Sequence, residues 1–423
     1  MSGPRRALEW VALGGCAFLL TQALLPMFLG PGDTLTDGNP TWRMVLTVSY
    51  LSVAAISAAY YRETLFLVRR NWFLAALVAL ALASCLWAEM PDLVFRRSIA
   101  LLGTTIFGFA LAVRLTVEEQ LRLLSWVFRI IAVLSLACII FVPSYGISSG
   151  IEQQGEWQGV FGHKNVLGSA MALSVLVEWQ LPTYTRHSQV LNRLALLLSA
   201  VLLFFSASVT PMVALVGSIL FIKIYDAARR RLGSSGLAVV LASSLVIALG
   251  LTMFSVNTEG FTAALGRSSD LTGRTAIWSR VISYIPRRPI LGYGYSGFWQ
   301  GASSDSLEVD RTVGTRIMYS HNGYLEILLA LGSVGLLFVL IFLWTGWRRA
   351  VCCSERGQPC AHLWPLIFLV FFLLHNFGEC TILVWQNLEW ALCVAIVAGS
   401  DPAILTAMEP EDELPLVASE EFT

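Results

Sequence analysis

The sequence predicts an all-α, polytopic membrane protein of about twelve transmembrane helices. Three observations lead there. Apolar residues make up 56% of the 423 residues and charged residues only 13%, about half the charged share of a soluble protein and too little to cover a water-facing surface. Mean hydropathy is +0.68. The apolar residues gather in runs near the length of about twenty that one helix needs to cross the hydrocarbon layer, where a helix satisfies its own backbone groups. Lys+Arg and Asp+Glu number 28 each, so the formal charge is zero, a balance that argues against a nucleic-acid binder.

The runs lie near 8–29, 44–60, 72–87, 98–113, 123–142, 165–181, 191–206, 211–225, 237–255, 323–344, 363–377 and 385–399. The first follows a basic start, MSGPRR, but is too long for a signal h-region and lacks an A-x-A site, so it reads as an uncleaved span. Lys and Arg favour the cytoplasmic side. With the N-terminus inside, inner loops hold sixteen of them and short outer loops only Arg43, Arg96, Arg97 and Lys164, which predicts both termini cytoplasmic. Arg129 falls inside a span. The chain then divides into helices 1–9 over residues 1–255, a large periplasmic loop over 256–322, helices 10–12 over 323–399 and an acidic cytoplasmic tail over 400–423. The loop carries seven arginines, which long loops tolerate on the outside. The tail holds seven acids and no Lys or Arg, so the remaining body is about +7, not neutral. Most of the eight cysteines sit in apolar runs and behave as small hydrophobes. Cys352, Cys353, Cys360 and His362 do not follow a zinc spacing, and neither a metal nor another cofactor is expected.

The motifs richest in chemistry all fall on the predicted outer face. They are WAEMPDLVFRRSI (87–99), GVFGHKN (159–165), TGRTAIW (272–278), PRRPILGYGYSGF (286–298) and SHNGYLEILLALGSVGLL (320–337). Together with HNFGECTILVWQNLEW (375–390), and in this order around a large loop, they resemble the O-antigen ligase / Wzy-type polymerase family, nearest to exopolysaccharide polymerases of the succinoglycan type. The resemblance covers about residues 85 to 390. It implies a GT-C-like helical bundle in the bacterial inner membrane that joins sugars from undecaprenyl-pyrophosphate-linked donors at the periplasmic face without metal. A chain-length regulator or a flippase are partners it suggests.

The residue chemistry suits that task independently. Departure of a lipid pyrophosphate builds negative charge, which guanidinium groups bind bidentately. Arg274 and the pair Arg96 and Arg97 are outer cations near span ends, with Arg287 and Arg288 further along the loop. Interfacial snorkelling is the plain alternative. His321 precedes the tenth span, where a neutral imidazole can take the proton of an acceptor hydroxyl; the resemblance also places a functional His in this segment. The plain alternative is that Ser320 or Asn322 caps the helix and His321 is merely exposed. Tyr324 is the better helical neighbour of His321 than Glu326, which lies on another face. His163, Lys164 and Asn165 enter a span through a glycine-bracketed turn whose free N–H groups suit phosphate, or which is purely structural.

Gly292, Gly294 and Gly297 match GxGxxG but lack a βαβ context, so a tight turn shaping the acceptor groove is preferred to a dinucleotide site. Residues 275–285 put Ile277, Trp278, Val281, Ile282 and Ile285 on one face, as for a helix lying on the membrane or capping the bundle. His375, Asn376, Glu379 and Glu389 are polar in an apolar setting, either functional or hydrogen-bonding between helices. Ser206, Ser208 and Thr210 match an S-x-S motif that many relatives follow with a basic residue; Val209 stands there, so no phosphate role carries over. The outer loops lack D-x-D, which disfavours a metal-dependent nucleotide-sugar transferase.

The function expected is polymerisation of lipid-linked repeat units: transfer of a glycan from undecaprenyl pyrophosphate to a sugar hydroxyl. The alternative is an O-antigen ligase with lipid A-core as acceptor. A transporter would show polar residues across the bilayer and repeat symmetry, whereas here the charges gather on one face; a purely structural scaffold would tolerate loss of the outer arginines.

Overall fold

A run of apolar residues in lipid folds as helix because nothing else satisfies its N–H and C=O groups, and each predicted run among the described residues coincides with a helix. The computed structural model describes residues 3–28, 39–149, 154–232, 272–299, 304–313, 317–355 and 363–400. The run 237–255, most of the tail, and Cys360 and His362 lie outside the described residues. Among the described residues the regular elements are all helical, with one isolated antiparallel bridge, Ile147 to Trp157.

In chain order the helices are α1 (Pro4–Leu20), α2 (Pro40–Ala59), α3 (Tyr61–Arg70), α4 (Trp72–Ala83), α5 (Pro91–Arg114), α6 (Val117–Phe141), the single turn α7 (Pro143–Gly146), α8 (Lys164–Gln180), α9 (Arg186–Ser206), α10 (Val209–Leu232), α11 (Thr272–Tyr284), α12 (Ser304–Val313), α13 (Gly323–Glu355), α14 (Trp364–His375) and α15 (Leu388–Gly399). Six are long and apolar enough to cross a membrane, and a seventh span arises if α3 and α4, bent by 86° at their junction, are counted as one. The chain is therefore an integral membrane protein. Helix starts follow the sequence: Thr116 and Glu119 form a capping box for α6, and Asn387 caps α15 through Trp390 N at 3.0 Å.

Burial sorts the helices into layers. α14 and α15 are apolar all round and buried nearly throughout, the signature of central helices. α5 lies against α15 so closely that a Cβ on Gly108 would meet Ala391 O at 2.6 Å. α2 and α9 leave most of their apolar side chains outward, which is stable where the solvent is lipid. Arg129, the cation inside a span, reaches from α6 to Glu178 of α8 in a two-pronged pair, 3.0 Å from Nε to Oε1 and 2.7 Å from Nη2 to Oε2; Ser125 Oγ donates to the same carboxylate at 2.8 Å. A buried charge needs such complete pairing.

A second apolar cluster sits over one end of the bundle. It joins Ile277, Trp278, Val281 and Tyr284 of α11 with Val309 of α12 and the aromatic residues Tyr293, Phe298 and Trp299. Of the apolar face expected of 275–285, Ile277, Trp278 and Val281 are buried here, but Ile282 turns outward, 46% exposed, and Tyr284 takes the inward place. The glycine-rich turn ties this cap to α13. That helix is interrupted at Gly332, whose φ of 63° and ψ of −161° break the ladder. Pro289 O and Ile290 O accept from Ser333 N at 2.8 Å and Val334 N at 3.2 Å, while Tyr293 N and Gly294 N donate to Leu329 O and Ala330 O at 2.9 Å each. The loop thus repairs the break it creates, because no buried backbone group is left to lipid.

Candidate functional site

Five separate segments converge beneath the cap. α11 begins with Thr272–Gly273 and turns Arg274 inward, where it is 7% exposed. Its Nη1 donates to Thr210 Oγ1 at 2.9 Å and its Nη2 to Glu379 Oε1 at 3.0 Å. Gly378 permits this approach, since a Cβ there would lie 2.7 Å from Thr210 Oγ1 and 3.0 Å from Arg274 Nη1. Asn165, at the start of α8, donates to the same Glu379 oxygen at 3.1 Å and accepts from Ser208 Oγ at 3.0 Å. His321 brings Nδ1 to 3.6 Å from Glu379 Oε2. That is longer than a hydrogen bond, and Nδ1 has no hydrogen-bond partner among the described residues. Tyr319 packs its ring on His321 at 4.2 Å between centroids.

The backbone holds His321 in an uncommon state. Its φ is +52°, the left-handed region that costs a non-glycine residue of order 1 kcal/mol or more and persists only where the surroundings impose it. They do. Trp278 Nε1 donates to Ser320 O at 2.9 Å, Ser320 N donates to Glu326 Oε2 at 2.9 Å, and Trp299 Nε1 donates to Glu326 Oε1 at 2.9 Å. On the other side Asn322 Oδ1 caps α13, accepting from Tyr324 N and Leu325 N at 3.1 Å each, and its Nδ2 donates to Phe377 O at 3.2 Å. Capping and a special role are therefore not rivals. Asn322 caps, and the cap presents His321 to the carboxylate.

Glu379 is the hub. Burial alone raises a carboxyl, but the Arg274 charge, helped by His321, outweighs it and holds Glu379 at about 2, well below its ordinary 4.5. The carboxylate is therefore ionised at neutral pH and keeps Arg274 neutralised in a site of low exposure. Beyond it, His375 Nδ1 lies 2.9 Å from Glu389 Oε2 and His375 Nε2 lies 3.0 Å from Ser169 Oγ, which itself donates to Asn165 O at 2.8 Å. A polar chain thus runs from the centre of the bundle to the Arg274 cluster. Asn376 is saturated locally: Nδ2 donates to Phe372 O and Thr381 Oγ1 at 2.7 Å each, and Oδ1 accepts from Thr381 N at 2.9 Å and Ile382 N at 3.1 Å. Its part is to build the turn that carries Glu379.

Comparison with known proteins now bears on this cluster. Residues 194–340 match the family model described as O-Antigen ligase. A 114-residue stretch is 30% identical to the Exopolysaccharide production protein ExoQ of Rhizobium meliloti (strain 1021), covering 26% of this chain and 26% of that protein. Over those 147 residues of the family match, 194–340, the chain is similar to that family. It spans about a quarter of the length of the curated relative it matches. The matched residues include Ser208, Thr210, Arg274 and His321, whereas Asn165 and Glu379 lie outside them.

Of the residues singled out from the sequence, Arg274, His321, Asn165 and Glu379 meet here, with Asn322 as support. The others make their contacts elsewhere. Arg97 is buried, but its Nη1 donates to Ser296 O and Oγ at 2.9 Å and its guanidinium lies over Trp385 at 5.2 Å, so it pins the glycine-rich turn to α5. Arg96, next to it, is exposed and reaches back to Asp92 O at 3.4 Å. Arg287 pairs with Asp305 at 3.1 Å, and Arg288 lies over Tyr293 at 4.8 Å and 3.9 Å from Glu89. His163 spends Nδ1 as the cap of α8, accepting from Asn165 N at 3.2 Å, and Lys164 is buried against Glu156 at 2.9 Å. At that helix start the Asn165 N–H and the Lys164 ammonium are thus engaged within the protein, as the structural reading of the turn has it. Tyr324 is not the companion of His321: its hydroxyl donates to Leu373 O at 3.0 Å, and Tyr319 takes that place. The residues sequence reasoning left out of the site are Ser208, Thr210 and Tyr319. The missing cation at Val209 drew attention away from the hydroxyls on either side.

Proposed function

We propose that this protein is a metal-independent glycosyltransferase of the bacterial inner membrane that polymerises lipid-linked repeat units in exopolysaccharide biosynthesis. The observation that carries the reading is the buried Arg274–Glu379–His321 cluster, with a strained histidine beside an ionised carboxylate and a guanidinium. The acceptor sugar hydroxyl gives its proton to His321 Nε2, the ring edge turned away from Glu379. The acceptor oxygen forms a bond to the anomeric carbon of the donor as the bond from that carbon to the pyrophosphate oxygen breaks. Negative charge that develops on the leaving undecaprenyl pyrophosphate meets Arg274, which exchanges part of its contact with Glu379 for the phosphate. Glu379 orients His321 and stabilises the imidazolium that forms, in the manner of a carboxylate behind a general base. The site faces the periplasm and both termini face the cytoplasm.

The name of the relative, an exopolysaccharide production protein, favours polymerase; the description of the matching family, O-Antigen ligase, keeps transfer to lipid A-core as the second reading. Incubating the purified protein with undecaprenyl-pyrophosphate-linked repeat units tests both. Chain extension without any core acceptor, unaffected by EDTA, is the expected result. Replacing His321 by Ala should slow it by about 10²–10⁴-fold, and Arg274→Ala by about 10²–10³-fold. Polymer of unchanged length and yield from both variants would sink the site assignment, and product formed only when lipid A-core is added would select the ligase.

A further inference from the structure

Far in sequence from the cluster lies α3. It has ten residues, YRETLFLVRR, and meets α4 at 86°, so it runs across the direction of the span it leads into. Only Leu67 of α3 is buried, while Tyr61, Leu65 and Phe66 are exposed beside Arg62, Arg69 and Arg70, with Glu63 the single acid. A short helix that shows basic and apolar side chains together suits the boundary between headgroups and acyl chains.

Beside it lies an apolar groove of about 280 Å³ walled by Ala54 and Ala58 of α2, by Tyr61, Leu65 and Val68 of α3, and by Ile106 of α5. Two polar side chains interrupt this wall, Thr64, whose Oγ1 donates to Tyr60 O at 2.9 Å and to Ser57 O at 3.3 Å, and Ser57. Ser57 lines the groove, is 9% exposed, and its Oγ has no hydrogen-bond partner among the described residues. A buried hydroxyl left unpaired is costly, and in a helix such a hydroxyl can usually turn back to the carbonyl four residues earlier. Helix α3 supplies the charge. Arg62 Nε donates to the hydroxyl of Tyr61, a lining residue, at 3.1 Å. Arg69 follows seven residues later, two turns along the same face and next to Leu65.

An apolar wall, a hydroxyl on it without a partner among the described residues and two exposed arginines on the helix that walls it describe one kind of ligand. We propose that this groove binds an anionic phospholipid, with an acyl chain against Ala54, Ala58 and Ile106, an ester oxygen accepting from Ser57, and the phosphate on Arg62 and Arg69. The site is independent of the reaction proposed for the Arg274 cluster.

Native mass spectrometry of the full chain tests it, with dioleoyl phosphatidylglycerol and dioleoyl phosphatidylcholine as probes. The expected result is one phosphatidylglycerol retained roughly tenfold or more better than phosphatidylcholine. Replacing both Arg62 and Arg69 by Ala, two exposed positions, should bring the two lipids level. Ser57→Ala should weaken both lipids alike, and Ala58→Trp, which fills the groove, should remove the bound lipid. Equal retention of the two lipids by the parent protein, or phosphatidylglycerol retention unchanged in the double variant, would overturn the proposal. So would a dimer that holds no lipid and dissociates in the double variant, or displacement of phosphatidylglycerol by inorganic phosphate alone.

Discussion

At the scale of single residues the site is a problem in charge balance. Arg274 and Glu379 are both 7% exposed, and removing one partner of a buried pair leaves the other uncompensated, at a cost of about 3–5 kcal/mol. Glu379→Gln should therefore lower stability by that order and not merely slow transfer. The pH dependence follows from the depressed carboxyl. Its contribution is complete above the ordinary value of 4.5 and is lost as pH falls towards about 2. Thermal unfolding of the detergent-solubilised protein should show a gap between parent and Glu379→Gln that is constant from pH 7 to 5 and narrows below about 4.5. A gap that already closes between pH 7 and 5 would mean that Glu379 is not held ionised by Arg274. Much of this was legible beforehand: an arginine beside a span end and a histidine before one are unusual residues in costly places. The hub was legible only as one of four polar residues near the last outer loop, because no spacing in the chain links position 379 to position 274.

At the scale of elements, the exchange between the glycine-rich turn and α13 decides how the cap is held. A Cβ on Gly332 would lie 2.3 Å from Ile290 O at a φ of 63°. Gly332→Ala therefore combines backbone strain of about 1–3 kcal/mol with a clash against a carbonyl that cannot move without releasing Val334 N. Gly297 offers the contrast, since its nearest neighbour is Val94 Cγ2 at 3.1 Å, the end of a side chain. Unfolding followed by intrinsic fluorescence should place Gly332→Ala well below Gly297→Ala; equal midpoints would refute the role of the break. From the sequence this GxGxxG was a tight turn, and its docking against a break in α13 was not visible. The positive φ of a glycine leaves no trace in hydropathy, so α13 read as one uninterrupted span.

At the scale of the whole molecule, burial separates central from peripheral spans, and loops from distant parts of the chain meet at one end of α8, α10 and α13. The alternation of Lys and Arg predicts that this end is outside. Introduced cysteines test it: Ser283→Cys on the exposed face of α11 should react with a membrane-impermeant maleimide in intact cells, and Ser188→Cys near the start of α9 only after permeabilisation. The reverse pattern would invert the topology and with it the periplasmic reaction.

The sequence by itself determined that the chain lives in lipid, where its helices lie and which segments carry chemistry. Those properties follow from local composition, since about twenty apolar residues form a span whatever their neighbours and a cation near a span end is costly wherever it occurs. Tertiary structure alone decided which cations share a site. Arg97, Arg287 and Arg288 are as prominent in the sequence as Arg274, yet they are held by Ser296, Asp305 and Glu89, while Arg274 meets Glu379. Charge pairing across a bundle depends on distances of about 3 Å between segments a hundred residues apart, and hydropathy, which averages along the chain, does not contain them.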